Sequence, residues 1–184
     1  MDFRSAVCDT GPLISALQSS SVYLLTSLFS ELHIPSACMA ELIEDGWGHE
    51  LTAFSSVIRA FPVLPNEEKT VDVIAQRIAQ HAKSQNRNPA RHLGEAQAIA
   101  LALRKEHQEA FLLLDELAAR AVAQELRLQI TGFPGVLLLA VQDGMITPSD
   151  LADRLEECRA QGTHYSVELI QRVYEIARSG SKAS

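Results

Sequence analysis

Cysteine is scarce in this chain and unpaired. Cys8, Cys38 and Cys158 are odd in number, far apart, and outside any C-x-x-C arrangement. That pattern argues against a thiolate metal cluster and for three buried, reduced thiols. Positive charge is also in deficit. Sixteen Lys and Arg stand against 23 Asp and Glu, a formal net charge of −7. A general electrostatic nucleic-acid binder is usually basic, so that class is disfavoured, whereas an acidic pocket needing metal cations is not. Aromatics are few, and long apolar runs are missing, because Leu-rich stretches are soon broken by charges. No segment therefore reads as a bilayer span. Met1-Asp2-Phe3-Arg4 leads into a strand without a signal-peptide pattern, and cytoplasmic residence is the expectation. With 184 residues, the chain is long enough for one compact domain with a sizeable core and short for two.

What the chain does have is concentrated between His92 and Arg120. A helix begins near Gly94 and carries Glu95 in its first turn. Ala96, Ala98, Ala100 and Ala102 give it a small-residue surface that can lie close on a sheet, and Ile99 and Leu103 repeat at i, i+4. Phe111-Leu112-Leu113-Leu114 follows, a continuous apolar run of the kind found in strands buried on both faces of a parallel sheet. It stops at Asp115-Glu116, where another helix starts. Ser5-Ala6-Val7-Cys8 ends in the same way, at Asp9-Thr10-Gly11-Pro12, with Pro12 suited to a helix start. Helical runs are expected over 22–29, 37–44 (capped by Ser36 and ended by Gly46), 49–59, 67–81, 117–126, 134–141, 151–159 and 167–177. Strands are expected around Leu32-His33-Ile34 and Leu128-Gln129-Ile130, with 61–65 extended. Thr147-Pro148-Ser149-Asp150 reads as a capping box. The alternation of strands and helices predicts an α/β fold with a mostly parallel sheet of about four to five short strands. It occupies one domain, residues 1–178, with a flexible tail at 179–184.

Four carboxylates fall at one edge of such a sheet. Asp9 and Asp115 each end a strand, and Glu41 and Glu95 each lie in the early turns of a helix. Open parallel sheets bind ligands at the carboxyl ends of their strands. Gathered in one cleft, these groups would either hold raised pKa values or bind a cation. Hard oxygen donors suit Mg²⁺ or Mn²⁺, and the chemistry indicated is metal-dependent hydrolysis of a phosphate ester. Taken singly each residue has a plainer role: Asp9 as either helix cap or ligand, Glu116 as a solvated helix-start residue. The six histidines show no metal-ligand spacing, and for most a surface position is expected. Ser36 lacks a G-x-S-x-G context and reads as a cap rather than a nucleophile. The basic loop containing Lys83, Arg87, Arg91 and His92 precedes the Glu95 helix, where its cations could hold phosphates at the rim of the acidic cleft.

Four segments resemble the PIN-domain ribonuclease family. They are Val7-Cys8-Asp9-Thr10-Gly11-Pro12-Leu13-Ile14, Pro35-Ser36-Ala37-Cys38-Met39-Ala40-Glu41-Leu42, the run from Leu93-Gly94-Glu95 to Ala102, and Leu112-Leu113-Leu114-Asp115-Glu116-Leu117. Thr131-Gly132-Phe133-Pro134 and Tyr165-Ser166-Val167 are similar to the prokaryotic branch labelled DUF3368. The resemblance implies a PIN fold and an endoribonuclease using Mg²⁺ or Mn²⁺. It assigns the metal to Asp9, Glu41, Glu95 and Asp115, with Thr10 orienting Asp9 or a bound water. It further implies a toxin of a toxin–antitoxin pair, with a cognate antitoxin as partner, and a homodimer. Apolar 22–25 and 134–141 could supply the dimer surface or simply fill the core. Gly11 and Leu117 depart from the polar residues many relatives carry there, which leaves open whether one ion or two would bind. Two other readings stand beside this one. One is an inactive PIN-like interaction module. The other is a phosphatase with Asp9 as covalent nucleophile, for which the D-x-D pattern is missing at Gly11.

Overall fold

A computed structural model describes residues 5–180. The expectations for residues 1–4 and 181–184 lie outside them. Five parallel strands form one sheet in the order β3-β2-β1-β4-β5. They are β1 (Ser5–Cys8), β2 (Glu31–Pro35), β3 (Ile58–Phe61), β4 (Phe111–Leu113) and β5 (Ile130–Thr131). The central strand is buried on both faces, and its residues alternate between two cores. Ala6 and Cys8 join the core built with helices α1 (Thr10–Gln18), α2 (Val22–Leu28) and α3 (Ser36–Leu42), which also includes residues of the later helices from Phe133 onward. Val7 joins the opposite core with α5 (Glu68–Gln80), α6 (Leu93–Ala102) and α7 (Leu117–Glu125). In β4, Leu113 takes the first side and Leu112 the second. The unbroken apolar runs of β1 and β4 thus follow from burial on both faces. The alanines of α6, fully or almost fully buried, let that helix lie close on the sheet.

Successive connections leave β1 toward β2 on one side, while β4 and β5 lie on the other. The crevice outside the carboxyl ends of β1 and β4 is therefore the topological switch point, where open α/β sheets bind ligands. Asp9 follows β1, and its N–H donates to Leu113 O at 3.2 Å. That bond fixes Asp9 beside the end of β4, two residues before Asp115.

Several local expectations need correction. The helix expected over 49–59 is only α4 (Gly48–Thr52); the chain then turns and pairs Ile58 to Phe61 with Leu32 to Pro35. Ladder formation with a distant strand outweighs local helical preference there. Ser36 is the first residue of α3 rather than its cap, and Pro35 holds the cap position. α3 ends at Leu42 and passes into one wide π-type turn, Ile43–Trp47, in which Gly46 has φ 96°, a conformation that favours glycine. The fifth strand falls at Ile130–Thr131 rather than 128–130. Ser179 and Gly180 belong to the last helix, α10 (Val167–Gly180), not to a tail. The capping box forms as read, opening α9 (Pro148–Ala160): Thr147 Oγ1 accepts from Asp150 N, and Asp150 accepts from Thr147 N. The three cysteines are free and buried. A surface position, expected for most of the histidines, does not hold for His33, His92 and His107, which are buried.

The apolar segments considered as dimer surface pack on each other. α2 lies against α8 (Phe133–Gln142), burying Val22, Leu24 and Leu25 on one side and Phe133, Val136, Leu137 and Ala140 on the other. Of residues 22–25 only Tyr23 is exposed. These segments fill the core.

Candidate active site

Four elements deliver acids to the switch point. Asp9 stands between β1 and α1, in the helix N-cap position, yet its carboxylate makes no capping bond. Asp115 follows β4. Glu41 comes from the last turn of α3, and Glu95 from the first turn of α6. Asp9, Glu41, Glu95 and Asp115, with Glu116, line one cavity of about 430 Å³, and Arg91 stands at its wall. Glycines permit the close approach. A Cβ on Gly94 would meet Asp9 Oδ1 at 3.3 Å and Cys38 Sγ at 3.4 Å, so α6 enters as near to Asp9 as sterics allow. A Cβ on Gly11 would lie 3.9 Å from both Asp9 Oδ2 and Asp115 Cβ, so these two acids flank one turn of backbone.

Two of the acids are held by neighbours. Thr10 Oγ1 donates to Glu41 Oε2 at 3.0 Å. The hydroxyl expected to orient Asp9 or a water thus orients Glu41 in this structure. Asp115 is fixed at both oxygens: Phe133 N–H donates to Oδ1 at 2.9 Å, and Tyr165 O–H donates to Oδ2 at 2.8 Å. Ser15 Oγ, itself buried, lies 2.9 Å from the Tyr165 hydroxyl. Glu116 caps α7, accepting from Ala119 N–H, in keeping with its reading as a helix-start residue.

Burial and crowding set the charge states. Burial first, then the charge of Glu95, pushes Asp9 up to about 7, against the pull of the Thr10 and Gly11 N–H groups. Burial also pushes Glu95 up to about 7, with Glu116 and Glu41 adding to the rise. Asp115 is raised by burial, while Tyr165, Phe133 N–H and Arg120 oppose the shift. Burial and the Asp9 charge push the Cys38 thiol up to about 12, so Cys38 stays protonated, with Sγ 3.7 Å from Asp9 Oδ1. Ionisation of these acids is therefore disfavoured, and the protein around them compensates their charge only in part. The donors are oxygens throughout, the chemistry that suits a hard divalent cation, and such an ion would compensate the rest. Among the described residues no group of three His, Cys, Asp or Glu is arranged as a ready-made metal site. Ion binding would require the side chains to close in.

The basic loop divides by role. Arg91 is exposed and borders the acidic cavity. Lys83 is exposed farther along the same face. Arg87 Nη1 donates to Ala79 O and His81 O, each at 3.1 Å, closing the end of α5. His92 is buried, with Nε2 2.8 Å from Asn86 O and 3.2 Å from Ser84 Oγ. Its expected role as a surface phosphate contact is corrected, since the ring fastens the loop from inside. Removing Arg87 would likewise disturb the end of α5.

Tyr165, Ser15 and Gly132 were not singled out as site residues from the sequence. Tyr165 lies 50 positions from Asp115, and no local spacing connects them. Tyr165→Phe should lower the melting temperature, through loss of about 1–3 kcal/mol at a buried carboxylate. It should also raise the Asp115 pKa, because the lost bond favours the ionised form. Carbon-13 NMR titration of the Asp115 carboxyl and a thermal melt check both. An unchanged titration would show that the hydroxyl does not hold the charge.

Comparison with known proteins agrees with this architecture. The DUF3368 model, described as a PIN domain, matches residues 5–179. No curated protein and no solved structure matches the chain significantly. Covering nearly the whole sequence and all five strands of the sheet, the match shows that this chain belongs to the DUF3368 family of PIN domains.

Proposed function

We propose that the chain is a Mg²⁺- or Mn²⁺-dependent endoribonuclease. The observation that carries this reading is the meeting of Asp9, Glu41, Glu95 and Asp115, from four separate elements, around one cavity at the switch point of the sheet. Membership of the PIN family supports it, since PIN domains are generally nucleases that use such ions. The toxin reading, a cognate antitoxin and a homodimer are supported by the family resemblance alone.

Asp9, Glu41, Glu95 and Asp115 would hold the ion. Bound there, it would lower the pKa of a water and offset charge developing on the phosphate. The protein's own part is to hold two of these acids at the cavity wall, from which the set would close in on the ion. Thr10 holds Glu41, and Phe133 N–H and Tyr165 hold Asp115, so both carboxylates face the cavity before substrate arrives. Without a cation the acidic wall repels an RNA phosphate. Arg91, exposed at that wall, attracts the phosphate to the rim.

Incubation of single-stranded RNA with the protein in Mg²⁺, in Mn²⁺ and in EDTA tests the proposal. Internal cleavage in either metal and none in EDTA is expected. Cation-induced stabilisation with no cleavage of any RNA would favour the interaction-module reading. Arg91→Ala should weaken RNA binding and reduce the slope of log affinity against log salt by about 0.7, the value for one lost single-strand phosphate contact. The melting temperature should scarcely move. Filter binding across a salt series measures the slope, and an unaltered slope would remove Arg91 from the RNA path.

A further inference from the structure

A second cavity, of about 870 Å³, adjoins the acidic one and shares Arg91, Asp115 and Glu116 with it. Its volume is in the range of small-molecule and cofactor sites. Its walls are unlike those of the acidic cavity. Leu117, Pro134 and Leu169 give it apolar surface, and Leu117 and Leu169 remain 60% and 37% exposed. Folding therefore does not account for these two leucines. Lys83 and Arg120 add positive charge to its lining, Arg120 close to Asp115.

We propose that this cavity binds the nucleoside adjoining the scissile phosphate of single-stranded RNA. The inference rests on the reading of the acidic cavity as the site of that phosphate. Continuity carries it: a nucleotide whose phosphate lies beside Asp115 and Arg91 has its base and ribose in the next space along, and that space is this cavity. The chemistry agrees. Every base presents an apolar face whose burial is favourable irrespective of sequence, and the exposed leucines offer a surface against which to bury it. Lys83 and Arg120 match the charge of the phosphates on either side. The departure at Leu117 acquires a role here, since this apolar residue lines the base pocket next to the shared Glu116.

Calorimetric titration of the full chain with ribose 5-phosphate and with AMP, GMP, CMP and UMP, in Mg²⁺, tests the proposal. At least one nucleotide should bind about tenfold or more tightly than ribose 5-phosphate, the margin that burying one face of a base against apolar side chains supplies. Leu169→Trp, which fills the cavity, and Leu117→Glu, which opposes an anion there, should each erase that margin. Both positions are exposed, so both proteins should fold. Equal binding of nucleotides and ribose 5-phosphate, or a margin that survives both substitutions, overturns the proposal. So does a parent dimer that Leu169→Trp converts to monomer by light scattering, because a second copy would then cover the cavity. The Mg²⁺-induced rise in melting temperature, followed in parallel, reports on the acidic cavity alone. If it is present while the nucleotide margin is missing, the base pocket fails and the metal reading stands. If the margin is present without the rise, the base pocket stands and the metal reading fails.

Discussion

Asp9→Asn should melt at a higher temperature than the parent protein in metal-free buffer at pH 8, and the advantage should vanish toward pH 4. Asp9 is buried, and its folded pKa of about 7 lies above its ordinary value of 3.8. Between those two values the folded chain holds a proton that the unfolded chain has released, so stability falls as pH rises through the window. Above pH 7 the folded state carries the buried charge and the full penalty. Below 3.8 both states are protonated and no penalty remains. Asparagine has the same shape and no charge, so it removes the penalty. It also gives up part of the pull of the Thr10 and Gly11 N–H groups, which favours the carboxylate. The net gain at pH 8 should be on the order of 1–3 kcal/mol, or a few degrees for a chain of this size. Magnesium should reverse the ranking. An ion that binds only the native state stabilises the parent by mass action, and the substituted protein should gain less. Melting curves from pH 4 to pH 8, with and without Mg²⁺, check both parts. A variant less stable than the parent at pH 8 would show that Asp9 is compensated within the protein and has no charge to offer a cation.

Gly132→Ala should be strongly destabilising and should also displace Asp115. A Cβ at this position would press into Asp115 Oδ1 and stand 3.0 Å from Arg120 Nη1 and 3.2 Å from Leu114 O. None of these atoms yields easily. Oδ1 is held by Phe133 N–H, Arg120 Nη1 donates to Leu114 O, and Leu114 O is backbone. Overpacking of this kind costs about 1–3 kcal/mol, and relief by moving the Asp115 side chain would break its bond to Tyr165. Gly11→Ala is the contrast. Its Cβ would make only ordinary contacts at 3.9 Å inside α1, where alanine is preferred to glycine by about 0.5–1 kcal/mol. Chemical denaturation of the two proteins gives the comparison. If Gly132→Ala is as stable as Gly11→Ala, the packing around Asp115 is looser than described.

How far the sequence revealed this site depends on how local each signal was. β1 and β4 were legible because burial on both faces leaves a short apolar run, and an acid ends each run. The Thr147 to Asp150 capping box was legible because its partners are three residues apart. β3 was hidden. Ile58-Arg59-Ala60-Phe61 has no marked alternation, and its partner is a strand more than 20 residues earlier. The hold of Tyr165 and Ser15 on Asp115 was hidden for the same reason, since it joins three parts of the chain that meet only through folding. His92 misled because a histidine beside Arg91 reads as part of a basic surface. Only the folded loop shows its ring turned inward to Asn86 and Ser84. The four acids were legible as a set through motif order and sheet-edge logic. Their shared cavity and the raised pKa values of Asp9 and Glu95 required the structure.

The central claim is that the acidic cavity is the site of cation-dependent RNA hydrolysis. Cleavage rates of the parent and of Asp9→Asn on the same single-stranded RNA, at saturating Mg²⁺ and pH 8, test it most directly. Loss of charge stabilisation at one key position typically lowers such a rate by about 100-fold or more, so the substituted protein should fall by at least that factor while remaining folded to a higher temperature in the absence of metal. Cleavage by Asp9→Asn at the parental rate, or by the parent equally well in EDTA, would contradict the account.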